Sequence, residues 1–320
     1  MPERPLDELL DQAIDAVIAG TASEPSGPEL DTLVRIASAL RELPAEHFES
    51  RLKAELQRRA VMTPAAVTPV REGFRTVTPY ISVAEGGKLI EFMKHTFGAE
   101  ELLRSPSSAG FHAEVRIGDS MLMIESGESL RGRERIGAFH VYVPDCDAAY
   151  RRALEAGATS LGEPTDRPYG ERSGFVKDTS GNHWYIATRF ASTAAPEGLG
   201  TVLPFVYPGN VRAFIDFSKR AFAAEEMAVF EESGRVMHAA VRIGDAVLEM
   251  GEPPDQTPLL PNRFFLYVED CDAWYRRAIA AGATSLEVPA DQPYGGRTAV
   301  VLDPFGYQWV PASLLGKATS

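Results

Sequence analysis

The chain has 320 residues, of which 44% are hydrophobic and 24% charged, so it is long enough to bury the cores of two domains. Its formal net charge of −13 disfavours binding to phosphate backbones and to anionic membranes. No stretch approaches the roughly 20 apolar residues of a membrane-spanning helix, and the first residues lack the pattern of a signal peptide. These properties predict a cytoplasmic protein that binds neither nucleic acid nor membranes.

Residues 1–62 predict a helical extension. Apolar residues recur at helical spacing in three short segments, of which the first covers residues 6–18 and ends before Gly20. Helices this short are marginal alone, so their apolar faces need a cover, either the rest of this chain or a protein partner. Both alternatives remain open. Proline and glycine then predict a linker over residues 63–75.

An internal repeat with a spacing of about 125 residues dominates the remaining sequence. Cys146–Leu161 recurs as Cys271–Leu286 with three differences in sixteen positions. Both copies also contain a Pro-Tyr-Gly segment followed by an arginine, Arg172 in the first and Arg297 in the second. The repeat predicts two homologous domains, residues 76–190 and 201–315, joined by a linker over residues 191–200.

Within the first repeat, hydrophobic periodicity predicts a strand, a helix and three strands, followed by the same series again. The predicted elements are a strand at 77–83, a helix at about 87–97, strands near 100–105, 110–117 and 120–125, a strand at 138–143, a helix beginning at Asp147, and three strands ending at Trp184–Ile186. Each predicted domain is therefore a βαβββ module repeated twice, and the fold class is α+β.

Several motifs in both copies resemble the vicinal oxygen chelate superfamily, in particular the PhnB-like branch of its glyoxalase/bleomycin-resistance group. They are the pairs Phe97-Gly98 and Phe222-Ala223, the Ala-Gly-Ala-Thr turns after the second helices, and the endings Asp178–Trp184 and Asp303–Trp309. The resemblance covers residues 75–315. It implies tandem domains in which paired βαβββ modules curl around a cleft, with two copies in one chain replacing the usual homodimer.

The resemblance also implies where a metal would bind. Metal-dependent members hold a divalent ion through His, Glu or Gln side chains at four strand positions, and the ion acts as a Lewis acid. The corresponding residues are Thr78, Met123 or Glu125, Ala138 and Tyr185 in the first repeat, and Leu203, Glu249 or Gly251, Arg263 and Val310 in the second. One carboxylate per repeat does not hold a catalytic ion, so we expect no metal and no other cofactor, with a divalent metal as the alternative.

The first functional hypothesis is a protein that binds a small organic ligand in its β-sheet clefts without a catalytic metal. The predicted ligand-binding residues share strand faces or belong to the Pro-Tyr-Gly segments. They are Tyr80, Glu125, His140, Tyr142, Tyr169, Arg172, Phe205, Tyr207, Glu249, Arg263, Phe265, Tyr267, Tyr294 and Arg297. For the tyrosines and arginines of the Pro-Tyr-Gly segments, clamping the loop to the sheet is the alternative role.

The second hypothesis is a metal-dependent lyase, isomerase or dioxygenase with its active site in the first domain. His140 and Glu125 would then be metal ligands or an acid/base pair. The second repeat carries Phe265 and Gly251 at these positions and would be the structural copy. The sequence does not decide whether the protein is an enzyme, and it assigns no catalytic residue.

The remaining residues with distinctive chemistry have structural interpretations. Cys146 and Cys271 occupy the same repeated position and are interpreted as buried packing residues rather than a disulfide. Trp184 and Trp309 are interpreted as core residues.

Overall fold

The computed structural model describes residues 70–71, 73–167, 170–190, 199–253 and 260–314. The predicted helical extension, much of both predicted linkers and Tyr169 lie outside these residues. None of the described helices is long and apolar enough to cross a membrane.

Four modules of one design follow each other along the described chain, and each contains one helix and four strands. Module 1 has β1 Val77–Val83, α1 Gly86–Phe97, β2 Glu100–Pro106, β3 Phe111–Ile117 and β4 Ser120–Ser126. Module 2 has β5 Ala138–Tyr142, α2 Cys146–Glu155, β6 Thr159–Arg167, β7 Glu171–Lys177 and β8 His183–Arg189. Module 3 has β9 Val202–Val206, α3 Val211–Phe222, β10 Glu225–Glu232, β11 Arg235–Ile243 and β12 Ala246–Met250. Module 4 has β13 Arg263–Tyr267, α4 Cys271–Ala281, β14 Thr284–Asp291, β15 Gly296–Leu302 and β16 Gln308–Leu314. The predicted α+β fold of paired βαβββ modules is confirmed.

Side-chain caps set the starts of three helices. Asp145 accepts a hydrogen bond from the backbone N–H of Ala148 at 2.9 Å, so α2 begins at Cys146, one residue earlier than predicted. Asp270 caps α4 in the same way, and Asn210 caps α3.

The strands form two eight-stranded sheets, and each sheet combines one module from each repeat. Sheet A, in the order β14-β15-β16-β13-β1-β4-β3-β2, joins modules 4 and 1 through the antiparallel pair β13 and β1. Sheet B, in the order β10-β11-β12-β9-β5-β8-β7-β6, joins modules 3 and 2 through the antiparallel pair β9 and β5. The helices pack on one face of each sheet, and we name the opposite faces face A and face B. Both faces are therefore built from both repeats.

The hydrophobic cores under the helices follow the repeats instead. One buried cluster gathers side chains of α1, α2 and their strands around Trp184, and a second gathers those of α3, α4 and their strands around Trp309. Each tryptophan is fully buried and donates its Nε1–H at 2.8 Å to a buried aspartate, Asp178 or Asp303. The prediction that both are core residues is confirmed.

Both cysteines also pack in these cores. Cys146 and Cys271 are free and buried at the first positions of α2 and α4. Their thiols donate to the backbone carbonyls of Ile186 at 3.0 Å and Pro311 at 3.3 Å. Burial raises the pKa of the Cys146 thiol to about 11 and that of Cys271 to about 12, so neither is an activated nucleophile.

Two reciprocal hydrogen-bonded contacts join modules 1 and 3. Thr76 donates both its backbone N–H and its hydroxyl to Oδ1 of Asp245, each at 2.7 Å. In the symmetric contact, Thr201 donates its backbone N–H to Oδ1 of Asp119 at 2.6 Å. The turn after β3 is thereby hydrogen-bonded to the residue that precedes β9, and the turn after β11 to the residue that precedes β1.

Each of these contacts requires a glycine beside the aspartate. Gly118 and Gly244 both have φ of +59°, a conformation that L side chains rarely adopt. A Cβ atom on Gly244 would lie 2.3 Å from the hydroxyl oxygen of Thr76, and one on Gly118 would lie 2.2 Å from that of Thr201. The glycines therefore allow the two repeats to approach closely.

We expect the substitution Gly244→Ala to lower the free energy of unfolding by about 2–4 kcal/mol, because it adds both a left-handed backbone penalty and a steric overlap with Thr76. Urea unfolding would measure this change. The matched control is Gly87→Ala in the first turn of α1, where a Cβ meets no atom within 4 Å and alanine favours the helix. Equal stabilities of the two variants would show that the junction does not hold the repeats together.

Candidate functional site

Because side chains alternate along each strand, most of the predicted ligand-binding residues lie on face A or face B. Face A carries Tyr80, Glu125, Arg263, Phe265 and Tyr267, and face B carries His140, Tyr142, Phe205, Tyr207 and Glu249. The predicted pairing of His140 with Glu125 is wrong, because β5 belongs to sheet B and β4 to sheet A. Each face contains residues of both repeats. A site on either face is therefore not confined to the first repeat.

The arginines of the Pro-Tyr-Gly segments lie on the helix-covered side. Arg172 binds both carboxylate oxygens of Asp147, at 2.6 and 2.9 Å, and one oxygen of Asp166 at 2.8 Å. Arg297 forms the same set of bonds in the second repeat, at 2.5–3.0 Å. These contacts tie β7 and β15 to the first turns of α2 and α4, which favours the structural alternative for both arginines. Tyr294, by contrast, is 71% exposed beside face A.

The centre of face B is a buried histidine between two buried carboxylates. Nδ1 of His140 lies 2.8 Å from Oε2 of Glu249, and Nε2 lies 3.5 Å from Oε1 of Glu171. The three residues come from β5, β12 and β7 and are 8%, 5% and 5% exposed, respectively. Such a cluster, buried on a sheet face that none of the described helices covers, is a candidate functional site.

The cluster holds His140 in its charged form at neutral pH. Burial alone would lower the pKa of His140, but the negative charges of Glu249 and Glu171 and the hydrogen bond with Glu249 outweigh it and raise the pKa to about 9. Burial likewise opposes the charge of Glu249, yet the charge of His140 and its hydrogen bond hold the pKa of that carboxyl far below its usual range. Burial and the negative charges of Glu249 and Glu171 raise the pKa of Tyr142, so its phenol stays neutral. Within this cluster two carboxylates thus face one imidazolium, so the cluster itself has an excess of negative charge. Arg189 adds a positive charge at its margin, 4.2 Å above the Tyr142 ring.

Aromatic rings surround this cluster. Tyr142 stacks on His140 with ring centroids 4.5 Å apart, and Phe175 stacks on Tyr185 at 4.1 Å with nearly parallel planes. Tyr207 completes this wall, and within the described residues its buried hydroxyl has no hydrogen-bond partner. Face B therefore combines flat apolar walls with an unsatisfied polar group.

Face B is accessible at its margins. His238 lies 3.6 Å from Glu249, and its side chain is 44% exposed. A cavity of about 520 Å³ borders Tyr142, and the guanidinium of Arg189 in its wall lies 4.2 Å above the Tyr142 ring. His238 and this cavity thus expose the margin of face B to solvent, while His140, Glu171 and Glu249 stay buried.

Sequence reasoning missed Glu171 and Phe175, and it considered Tyr185 only as a metal-ligand position. Glu171 stands beside Arg172, and the arginine was selected because its guanidinium suits an acidic or planar ligand. Alternation along β7 places Glu171 and Phe175 on one face and Arg172 on the other, and that signal could have found them.

The residues at the four family metal positions do not fit a divalent ion on either face. Face B presents Leu203, Ala138 and Tyr185 with a single carboxylate, Glu249, which is already bonded to His140. Face A presents Thr78, Met123, Val310 and the cationic Arg263. Across the part of the chain that the structure describes, no group of three or more His, Cys, Asp or Glu side chains is placed to hold a metal ion.

Comparison with known proteins identifies the family to which the chain belongs. The model of the Glyoxalase/Bleomycin resistance protein/Dioxygenase superfamily matches the chain twice, over residues 76–186 and 199–310. The chain belongs to this superfamily. As a superfamily member it carries two copies of the domain in one polypeptide, in agreement with the internal repeat.

Similar proteins exist both among known sequences and among solved structures. Two uncharacterized proteins, one of Mycobacterium bovis and one of Mycobacterium tuberculosis, are 36% identical over 118 residues, which is 33% of this chain and 78% and 69% of theirs. The crystal structure of glyoxalase I from Zea mays is similar with a TM-score of 0.57 and 17% identity, covering 75% of this chain and 92% of that one. This likeness shows the fold alone.

We expect His140→Gln to lower the free energy of unfolding by about 3 kcal/mol near pH 6.5, because it leaves two buried carboxylates without their cation. The folded-state pKa of His140 is raised from 6.5 to about 9, so its stabilising contribution is complete below pH 6.5 and is lost as the pH rises through 9. The difference between wild type and variant should therefore shrink over this range in urea titrations. His95→Gln, on an exposed side chain, is the control. A difference that stays constant from pH 6 to 10 would argue against a charged His140.

Proposed function

We propose that this chain is a binding protein for a small organic molecule, that it works without a catalytic metal, and that face B is its principal binding site. The observation that carries the proposal is the buried Glu171–His140–Glu249 cluster set among aromatic rings. Buried ion clusters of this kind contribute little net stability compared with apolar packing. A role in binding gives a physical reason for placing one at the centre of a sheet.

The chemistry of face B defines the kind of ligand. A flat ring fits against the stacked pairs His140–Tyr142 and Phe175–Tyr185, where aromatic contact favours planar groups. A cationic or strongly hydrogen-bond-donating group on that ring would meet the excess negative charge of Glu171 and Glu249. The hydroxyl of Tyr207 supplies a further polar contact. We therefore expect planar, positively charged organic molecules to bind in preference to anionic ones.

Metal independence has support from the donor set. The carboxylate of Glu249 accepts a charge-assisted hydrogen bond from His140, and removing that bond to bind a metal would leave a buried imidazolium beside a cation. Of the other family positions on face B, Leu203 and Ala138 supply no donor, and Tyr185 supplies only a phenol, on a ring stacked on Phe175.

The first test measures metal content. Full-length protein purified without an affinity tag or chelator would be incubated with Mn, Fe, Co, Ni or Zn, separated from free metal and analysed for its elements. We expect less than a tenth of an equivalent of any metal per chain. Retention of one equivalent would contradict metal independence and favour a metal-dependent lyase, isomerase or dioxygenase.

The second test uses benzamidinium, a planar cation with hydrogen-bond donors, in calorimetric titration against the full chain. We expect Glu171→Gln to weaken its binding about tenfold, because a hydrogen bond to a charged group is lost. Glu128→Gln removes one negative charge from an exposed helical turn and is the matched control. Binding that is absent in the wild type, or equal in both variants, would contradict the assignment of face B.

A further inference from the structure

A segment of the chain covers one end of face A. Phe74, which precedes β1, is buried against Met121 and Met123 and contacts Tyr267 edge-on at 5.7 Å between ring centroids. Arg71 fixes this segment by binding both carboxylate oxygens of Glu114. The other end of face A stays partly open. Its lining residues are Tyr80, His112, Glu125, Arg263, Phe265 and Tyr294.

Two arginines belong to this open end. The guanidinium carbon of Arg263 lies 4.5 Å above the ring of Tyr80. Arg135 is held next to the end of β1 by two backbone hydrogen bonds with Ser82, at 2.9 and 2.7 Å. Burial and the positive charge of Arg263 both lower the pKa of Arg135, which indicates that the two charges repel each other. Among the described residues, neither guanidinium forms an ion pair.

Hydrogen-bonding groups at this end also lack acceptors. Nε of Arg263 is buried without a hydrogen-bond partner in the described structure, and so is the hydroxyl of Ser82, a residue that is 2% exposed. The carboxylate of Glu125 does not satisfy them, because its two oxygens accept from the hydroxyls of Tyr80, at 3.0 Å, and Ser107. Buried donors left unpaired are costly, so an acceptor is the missing component.

We propose that the open end of face A binds an organic anion, specifically a carboxylate attached to a planar group. The carboxylate lies between Arg263 and Arg135 and accepts from the hydroxyl of Ser82, and the planar group packs against Tyr80 and Phe265. An arginine matches the geometry of a carboxylate and can bind it through two parallel hydrogen bonds. This site is separate from the binding proposed for face B and does not depend on it.

The equivalent positions on face B show why the two sites would select different ligands. Arg263 has Ala138 as its counterpart, so face B lacks this positive charge. Conversely, Glu171 and Glu249 of face B have Gly296 and Met123 as their counterparts on face A. At these three positions face B carries the negative charges and face A the positive one, so we expect ligands of opposite charge. His140 of face B and Glu125 of face A, whose counterparts are Phe265 and Gly251, offset part of this difference.

Calorimetric titration of the full chain with benzoate tests the site, and benzamide, which is uncharged and nearly isosteric, is the ligand control. We expect benzoate to bind at least about tenfold more tightly than benzamide. Arg263→Gln and Arg135→Gln should each weaken benzoate binding about tenfold. Arg212→Gln removes one positive charge from an exposed helix and should leave the affinity unchanged. Circular dichroism would verify that each variant is folded. Arg263→Gln and Arg135→Gln test the site independently, because each removes a different guanidinium.

Several outcomes would overturn the proposal. One is that benzoate binds no more tightly than benzamide. Another is that Arg263→Gln and Arg135→Gln both retain wild-type affinity for benzoate. The variant Glu171→Gln separates the two proposals, since it should weaken benzamidinium binding and leave benzoate binding unchanged. Loss of benzoate affinity in Glu171→Gln would place the anion on face B and contradict the site described here.

Discussion

The antiparallel pairing of β13 with β1 and of β9 with β5 is the constraint on which the rest of the structure depends. A four-stranded module has an exposed edge whose backbone groups must be paired or protected. Here the edge of each module is paired with a module from the other repeat, so both sheets are complete within one chain. The pairing builds faces A and B from both repeats, while each helix-covered core lies within one repeat except for a single side chain of the other, Val77 or Val202.

Because two repeats build two faces, each face can change without disturbing the other. The cores keep equivalent residues, such as Trp184 and Trp309 with their aspartate partners. The faces differ instead, with His140 on face B and Phe265 on face A at one position. A core residue must keep its volume and shape to fill the space between helix and sheet. A residue on face A or face B has fewer packing neighbours, so its side chain can change to suit a different ligand.

The sequence predicted the modules well and the site less well, for a physical reason. Strand and helix periods are local, and the repeat of Cys146–Leu161 fixed the order of the modules. The partner of an edge strand is not local, and nothing in the sequence around His140 indicates that Glu249, 109 residues away, lies beside it. Assigning His140 and Glu125 to one site followed from the assumption that each repeat closes on itself. Arg172 was selected for its charge, although alternation along β7 turns it toward α2.

The two faces illustrate how a fold can keep a site while its metal ligands are replaced. A divalent ion provides concentrated positive charge that draws oxygen atoms of a substrate. At one of the family ligand positions on face A stands Arg263, whose guanidinium is a fixed positive charge with directed donors and needs no ion. On face B the carboxylate of Glu249 persists, but His140 takes the place of the cation as its partner. On both faces a positively charged side chain lies where metal-dependent members of the superfamily hold a metal ion. Under the proposed functions such side chains bind and position a ligand, without the open coordination site through which a metal polarises its substrate.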